Sequence, residues 1–289
     1  MTIRHRVESA AVRSVLALVR RMPPALAAAC GTALGRAAYL LDGRHRRIAL
    51  ENVAGAFPGR SAAERRTIVR GAFEHFGRLL LALLEFSGLP PEQMLARVEF
   101  EGEDRVRSAH ARGKGVLFVT GHFGFWELQA LVHPLRFPPM AVLARALDNP
   151  GLNGLLERIR TRTGNAVVYR QGTLRRVLRT LQAGEGVGVL IDQHMITRDA
   201  VQVDFFGRTA ATTAAVAALA IRTGAPVVPL FALPLGGGRY RMVYEPPVEP
   251  PGVDTEDAVR EFTQRCTDVL EMYVRRHPEL WLWMHRRWR

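Results

Sequence analysis

The run Val119-Thr120-Gly121-His122-Phe123-Gly124-Phe125-Trp126-Glu127 sets a histidine and a glutamate five positions apart at the end of a valine-rich apolar stretch. Ligands and catalytic groups collect at the carboxyl ends of buried strands, so this is where chemistry is sought first. On a continuous helix, side chains five apart point about 140° away from each other. The two can meet only if His122 lies in a turn and Glu127 in the first helical turn, a bend that Gly121 and Gly124 permit. A carboxylate that accepts the proton of one ring nitrogen fixes the tautomer and raises the basicity of the other, so His122 could act as a general base toward a hydroxyl. The same spacing also fits a histidine capping the turn and a glutamate complementing the helix dipole.

Other candidates end neighbouring apolar runs. Arg145 could hold a phosphate or steady an oxyanion, and also fits a surface arginine before a turn. Asp192 and Gln193 follow Val187 to Ile191 and would line the same edge; Asp192 could anchor Arg145 or another cation, or cap a loop. His194 is a second candidate base, but five residues on stands Asp199, preceded by Arg198, which does not supply a carboxylate partner in the same way. Phe205-Phe206-Gly207-Arg208 precedes Thr212-Thr213, which could cap a helix ending near Arg222 and leave N–H groups for an anion, or simply cap it. The aromatic pair fits either the core or an apolar groove. His110 and His133 fall in expected helices without partners at metal spacing and read as structural. No P-loop, dinucleotide fingerprint, Gly-x-Ser-x-Gly elbow or metal cluster is present.

The elements that must position these residues divide into two styles. Residues 7 to 20 and 24 to 41 read as helices parted by Pro23-Pro24, and a third runs from Arg44 to Phe57. Ser61 with Glu64 forms a capping box that opens a long helix through Phe86. From residue 98, short valine-rich runs alternate with helical segments, the pattern of an α/β sheet. Strands are expected at 115 to 120, 140 to 145, 166 to 169, 187 to 192, 226 to 233 and 240 to 245. Helices are expected at 103 to 112, 125 to 134, 151 to 163, 173 to 183, 212 to 223 and 254 to 276. The tail from Trp281 to Arg289 mixes aromatic anchors with cations. The fold class is α/β, a central mixed β-sheet flanked by helices, divided as a helical membrane-associating segment over 1–60 and an α/β domain over 61–289.

Composition sets outer bounds. With 289 residues of which 48% are hydrophobic, the chain can bury a large core, which rules out global disorder. The net charge is +13 and Lys114 is the only lysine. That excess points to an anionic partner without choosing among nucleic acid, acidic lipid and acidic protein, and arginine bias also follows from a GC-rich genome. The arginines are spread through helices and form no recognised nucleic-acid module, so no nucleic-acid partner is expected. Cys30 and Cys266 form no CxxC, against a disulfide framework or cysteine zinc site and in favour of a reducing compartment. The stretch from Met22 to Leu41 follows Arg20-Arg21, begins with prolines and contains Arg36. It makes a poor cleavable signal and a poor spanning helix, and reads as interfacial, with Arg20, Arg21, Arg36, Arg44, Arg46 and Arg47 near the headgroup layer.

The H-x4-E within Gly-His-Phe-Gly-Phe-Trp-Glu resembles the signature of the bacterial lipid A acyltransferases of lauroyl/myristoyl type, within the wider H-x4-D/E glycerolipid acyltransferase superfamily. Ordered blocks extend the likeness: Arg46-Arg47-Ile48-Ala49-Leu50-Glu51-Asn52-Val53 through Ala56-Phe57-Pro58, Arg145 with Asp148-Asn149-Pro150, Asp192-Gln193, Val203-Asp204-Phe205-Phe206-Gly207, and Trp283-Met284-His285-Arg286-Arg287. The resemblance implies transfer of a fatty acyl group from acyl carrier protein or acyl-CoA to a hydroxyl of an anionic glycolipid, at the cytoplasmic face of the cell inner membrane, by direct attack without an acyl-enzyme. It implies His122 and Glu127 as catalytic, with Glu127 orienting the imidazole, and Arg145, Asp192, Gln193, Gly124, Phe206 and Arg208 as substrate-binding. No metal or cofactor is expected. Lysophospholipids and phosphatidylinositol mannosides are alternative acceptors, and a non-catalytic basic protein binding membrane or nucleic acid is the competing class.

Overall fold

Period-two alternation in short valine-rich runs sorts side chains onto the two faces of a sheet. In β2 (Val116–Thr120), Leu117 and Val119 join one core while Val116 and Phe118 join the other, and all five residues are buried. The computed structural model describes residues 2–169, 173–196, 200–253 and 255–288. Its helices are α1 (Ile3–Val19), α2 (Pro24–Leu41), α3 (Gly43–Ala56), α4 (Ala62–Phe86), α5 (Pro91–Leu95), α6 (Glu103–Ala111), α7 (Trp126–Val132), α8 (Pro150–Thr161), α9 (Thr173–Gln182), α10 (Ala215–Thr223) and α11 (Glu256–Arg276). The other strands are β1 (Val98–Glu101), β3 (Met140–Leu143), β4 (Ala166–Val168), β5 (Gly186–Leu190), β6 (Ala200–Asp204), β7 (Thr209–Thr213), β8 (Val227–Gly236) and β9 (Arg239–Tyr244).

Seven strands form one sheet in the order β1-β9-β8-β2-β5-β3-β4. From β8 to β4 they run parallel, and β9 is antiparallel to β8, so the sheet is mixed and flanked by helices, as expected. The carboxyl ends of β2, β5 and β3 lie side by side. Gly186 and Gly188 make room on β5 for neighbouring side chains: a Cβ on Gly186 would stand 2.9 Å from the Phe118 ring, and one on Gly188 3.0 Å from Met140 Sδ.

Three strands escape the sequence reading: the edge strand β1, and β6 with β7, which pair as a separate antiparallel hairpin. Thr212 and Thr213 end β7, and the Thr213 hydroxyl accepts the Ala215 N–H at the start of the next helix at 3.2 Å, so Thr213 stands at a helix start while Thr212 does not. Helix α10 starts at Ala215, so the anion-binding N-terminus expected at 212 is not formed there. The capping box of Ser61 and Glu64 is formed as expected.

The helical region packs on itself through missing side chains. Gly31 and Gly35 of α2 face Gly77 of α4 so closely that a Cβ on Gly35 would lie 2.2 Å from the Phe73 carbonyl oxygen and one on Gly77 2.1 Å from that of Gly31. Helix α1 adds Leu16 and Val19 against Leu81 and Leu84 of α4. Its Ser9, Glu8 and His5 carbonyl hydrogen-bond Asn149 at the start of α8. Among the described residues no helix is long and apolar enough to cross a membrane. Overpacking a tight contact costs about 1–3 kcal/mol. Gly35→Ala is therefore expected to lower the unfolding free energy by about 1–3 kcal/mol, read as a lower urea midpoint with an unchanged slope; an unchanged midpoint would show that α2 and α4 separate freely.

Candidate active site

The turn after β2 is shaped by two glycines in different ways. Gly124 takes φ +57°, and a Cβ there would lie 2.1 Å from the Ala232 carbonyl oxygen on β8. Its N–H donates to Leu280 O at 2.9 Å, and its carbonyl accepts from the buried His75 of α4 at 3.0 Å. Gly124 is thus wedged between strand, helix and tail, with both of its backbone polar groups taken by the protein. Burial pushes His75 down to about 4, so it stays neutral in this role. Gly121 leaves space: a Cβ on it would sit 3.0 Å from Asp192 Oδ2.

Into that space comes the carboxylate of Asp192, two residues past β5. Its Oδ1 accepts from His122 Nδ1 at 2.8 Å, and its Oδ2 from the His122 backbone N–H at 2.7 Å and the Trp281 indole N–H at 2.8 Å. The Asp192 side chain is 2% exposed and that of His122 21%, so the dyad is buried at its carboxylate end and open at its imidazole end. Burial alone would raise the Asp192 carboxyl, but the charge of His122 and the hydrogen bonds from His122 and Trp281 outweigh it and hold the group below the usual range. Burial likewise opposes a charged His122. The charge and hydrogen bond of Asp192, with the charge of Glu127, overcome it and raise the imidazole above its ordinary value, while Arg160 works against them. With Nδ1–H given to Asp192, Nε2 carries the lone pair. Gln193, exposed, brings its Nε2 to 3.4 Å of that atom.

The carboxylate bonded to His122 is therefore Asp192, a correction to the expected pairing with Glu127. Glu127 does fall in the first turn of α7, five residues from a histidine in a turn, as the spacing requires. Its oxygens, however, are taken by Arg160 of α8, at 2.8 Å from Nε and 2.5 Å from Nη2, and by the Trp126 indole N–H at 3.1 Å. Both members of this ion pair are largely buried. Removing one partner from such a pair leaves an uncompensated charge. Trp126 also stands edge-on to the His122 ring, with centroids 5.2 Å apart.

The remaining candidates divide. Arg145 lies exposed in the segment after β3, one strand beyond Asp192 on the same sheet edge. Asp192 is not its anchor. Phe205 and Phe206 are buried in a cluster with Phe57, Trp281, Trp283 and Trp288, so they belong to the core and not to a groove. Phe206 also has φ +61° and gives its N–H to Glu271 at 2.6 Å. Arg208 stacks its guanidinium 4.5 Å over Trp288 and against Gly55, where a Cβ would meet it; its engagement is structural. His194 gives its backbone N–H to His285 Nε2, and Asp199, with Arg198, lies outside the described residues. His133 is buried, contacts the Tyr244 hydroxyl and is pushed by burial to about 3, a structural role as read.

Sequence reasoning missed Arg160, Trp281 and Arg287. Arg160 is one of two arginines in α8, with no local signal of its partner 33 positions away. Trp281 and Trp283 read as aromatic anchors, yet they are 1% and 0% exposed. Among the described residues no group of three or more His, Cys, Asp or Glu is placed to hold a metal. The arrangement is that of a general base, an imidazole oriented by a buried carboxylate with one nitrogen facing outward.

The family model for bacterial lipid A biosynthesis acyltransferases matches residues 3–289. The lipid A biosynthesis lauroyltransferase of Escherichia coli (strain K12) is 30% identical, covering 95% of this chain and 89% of its own length. The myristoyltransferase of the same organism is 27% identical over 87% of this chain and 77% of its own. The phosphatidylinositol mannoside acyltransferase of Mycolicibacterium smegmatis is 25% identical over 94% and 88%.

The geometry sets a test of which carboxylate governs His122. Asp192→Asn removes the charge that offsets burial, so the His122 imidazole should titrate below its wild-type value by more than one pH unit in histidine-resolved NMR. Glu127→Gln should move it less, because Glu127 acts on the ring only through space, whereas Asp192 adds a direct hydrogen bond. The reverse order would reinstate Glu127 as the partner.

Proposed function

Because the chain belongs to the bacterial lipid A biosynthesis acyltransferase family, and is an acyltransferase, we propose that it moves a fatty acyl group from a thioester onto a hydroxyl of an anionic glycolipid of the lipid A precursor type. The observation that carries this reading is the outward-facing Nε2 of His122, backed by buried Asp192. Nε2 takes the proton of the acceptor hydroxyl as its oxygen attacks the thioester carbonyl carbon. The tetrahedral intermediate then collapses, the C–S bond breaks, and the imidazolium returns its proton to the departing thiolate. The new C–O ester bond stays on the lipid. Asp192 stabilises the imidazolium while the proton is held.

Arg145, on the adjoining strand end, is suited to an acceptor phosphate, and the donor is an acyl carrier protein or acyl-CoA thioester. A phosphatidylinositol mannoside acceptor is a second reading, favoured by the likeness to the mycobacterial enzyme. Mass spectrometry of polar lipids from cells with and without the gene separates the two by the class that loses one acyl chain. His122→Ala is expected to lower acyl transfer about 10²–10⁴-fold while the protein stays folded. Since the base must be neutral and its imidazole is raised above the ordinary 6.5, kcat/KM should climb with pH through a limb above that value. Wild-type turnover by folded His122→Ala would end the proposal.

The membrane-facing part of the reading rests on α1 and α2. Leu26, Leu34, Leu40 and Leu41 of α2 are 46–85% exposed, as are Val15 and Leu18 of α1 at 42% and 57%. This is the outer side of helices whose inner side is buried in α4, and it suits an interfacial layer. Three of the arginines expected at the headgroups are engaged by the protein: Arg20 by Ser87, Arg36 by Glu74, and Arg46 by the carbonyls ending α2. Arg21, Arg44 and Arg47 remain exposed, Arg47 beside Glu51 at 3.8 Å, each worth ~1 kcal/mol near an anionic leaflet. Salt should therefore release part of the protein from membranes, and Leu34→Glu with Leu41→Glu most of the rest, in a flotation assay. Full retention of the double variant in high salt would move the attachment elsewhere.

A further inference from the structure

The last stretch of chain touches every residue of the dyad. Gly124 N–H donates to Leu280 O at 2.9 Å and Leu282 N–H to His122 O at 3.1 Å, so residues 280–282 lie as an antiparallel strap along the His122 turn. The same segment reaches the far side of the site. His285 Nε2 accepts the His194 N–H, and buried Arg287 donates to the carbonyls of Gln193 and Ala211 and to Thr212 Oγ1. Asn52 of α3 fixes the strap in turn, donating to Trp283 O at 2.8 Å and His285 O at 2.7 Å. Within it, Trp281 is the residue whose side chain meets the reacting machinery. Its indole N–H lies 2.8 Å from Asp192 Oδ2, and its ring is sealed against Phe205 and Trp283.

We infer that Trp281 is a positioning residue for this site: its indole N–H fixes the Asp192 carboxylate against His122 and takes up part of that carboxylate's charge. The inference rests on the acyl-transfer reading for its consequence in catalysis, though not for its effect on His122. An Asp192 with no indole donor would keep more charge for the imidazolium, so His122 would become more basic and would hold its proton to higher pH. Among the described residues the other charges that face the pair are Glu127 from α7, Arg160 from α8 and Arg287 from the strap, and none is altered by a change at Trp281 alone. Charge is partitioned here by a neutral donor at hydrogen-bond distance, where a carboxylate is most sensitive.

The test is Trp281→Phe in the full chain, with near-ultraviolet circular dichroism to establish folding. Because Phe leaves space, a second variant carries a benzothienylalanine at 281, which keeps the bicyclic shape and lacks only the N–H. The His122 titration is followed by NMR, assigned with His122→Gln, and the acid limb of kcat/KM is measured with an acyl thioester and a lipid A precursor. Both variants are expected to raise the His122 titration by half a pH unit or more, about a threefold gain in proton affinity. The acid limb should rise with it and turnover should recover at high pH. If the isosteric variant folds and His122 titrates as in wild type, the inference is overturned, including where activity falls equally at all pH. A raised titration in a protein that transfers no acyl group would sustain the role of Trp281 and sink the acyl-transfer reading instead.

Discussion

A carboxylate buried to 2% exposure is stable in its charged form only if donors replace the water it has lost, and Asp192 has three: the ring and backbone N–H of His122 and the indole of Trp281. Each comes from a different constraint. The backbone donor exists because β2 ends where β5 ends, in register as parallel neighbours. The ring donor reaches Asp192 because Gly121 has no side chain to hold the carboxylate away. The indole is delivered by a tail that crosses behind the turn. Loss of any one would leave a buried charge under-satisfied, so strand pairing, a glycine and the tail are tied to a single ion pair.

The helical region is coupled to the same turn through one hydrogen bond. His75 lies on α4 and holds the Gly124 carbonyl, while α4 is gripped by α2 through backbone contacts between glycines. A helix pair that meets through glycine has little freedom to slide, because the contact surfaces are main chain rather than adjustable side chains. The exposed apolar side of α2 is therefore held at a fixed orientation to the opening of His122. If that side lies on lipid, as proposed, the general base is presented to the interface by a short, stiff path through α2, α4 and the turn.

What could be read in the sequence was local. Helix α2 was opened to the residue by its prolines, the capping box placed α4, and valine runs located six of the seven strands of the main sheet. The turn position of His122 and the first-turn position of Glu127 followed from their spacing. The pairing of His122 did not, because Asp192 is 70 positions away and becomes its neighbour only through the crossover that puts β5 beside β2. A glutamate five residues off was the partner that sequence could see. The hairpin of β6 and β7 was missed for a related reason: Thr212-Thr213 before an alanine-rich run has the chemistry of a helix cap, and only the pairing of residues 200–204 with 209–213 makes it a strand.

The blocks that carry the family resemblance were separate in the sequence and are contiguous in space. Asn52 of the first block bonds the backbone of Trp283 and His285 in the last. Phe57 touches Phe206 and Trp283, and Phe205 touches Trp281. The blocks around residues 46–58, 203–207 and 283–287 thus close into one aromatic wall behind Asp192. Such a wall has a physical purpose. Excluding water from the rear of the carboxylate strengthens its interaction with the imidazole and leaves the solvent-facing nitrogen as the one route for a proton. Phe206, Arg208 and Gly124 belong to that construction: Phe206 packs on Trp283, Arg208 lies over Trp288, and Gly124 ties the turn to Leu280 and His75.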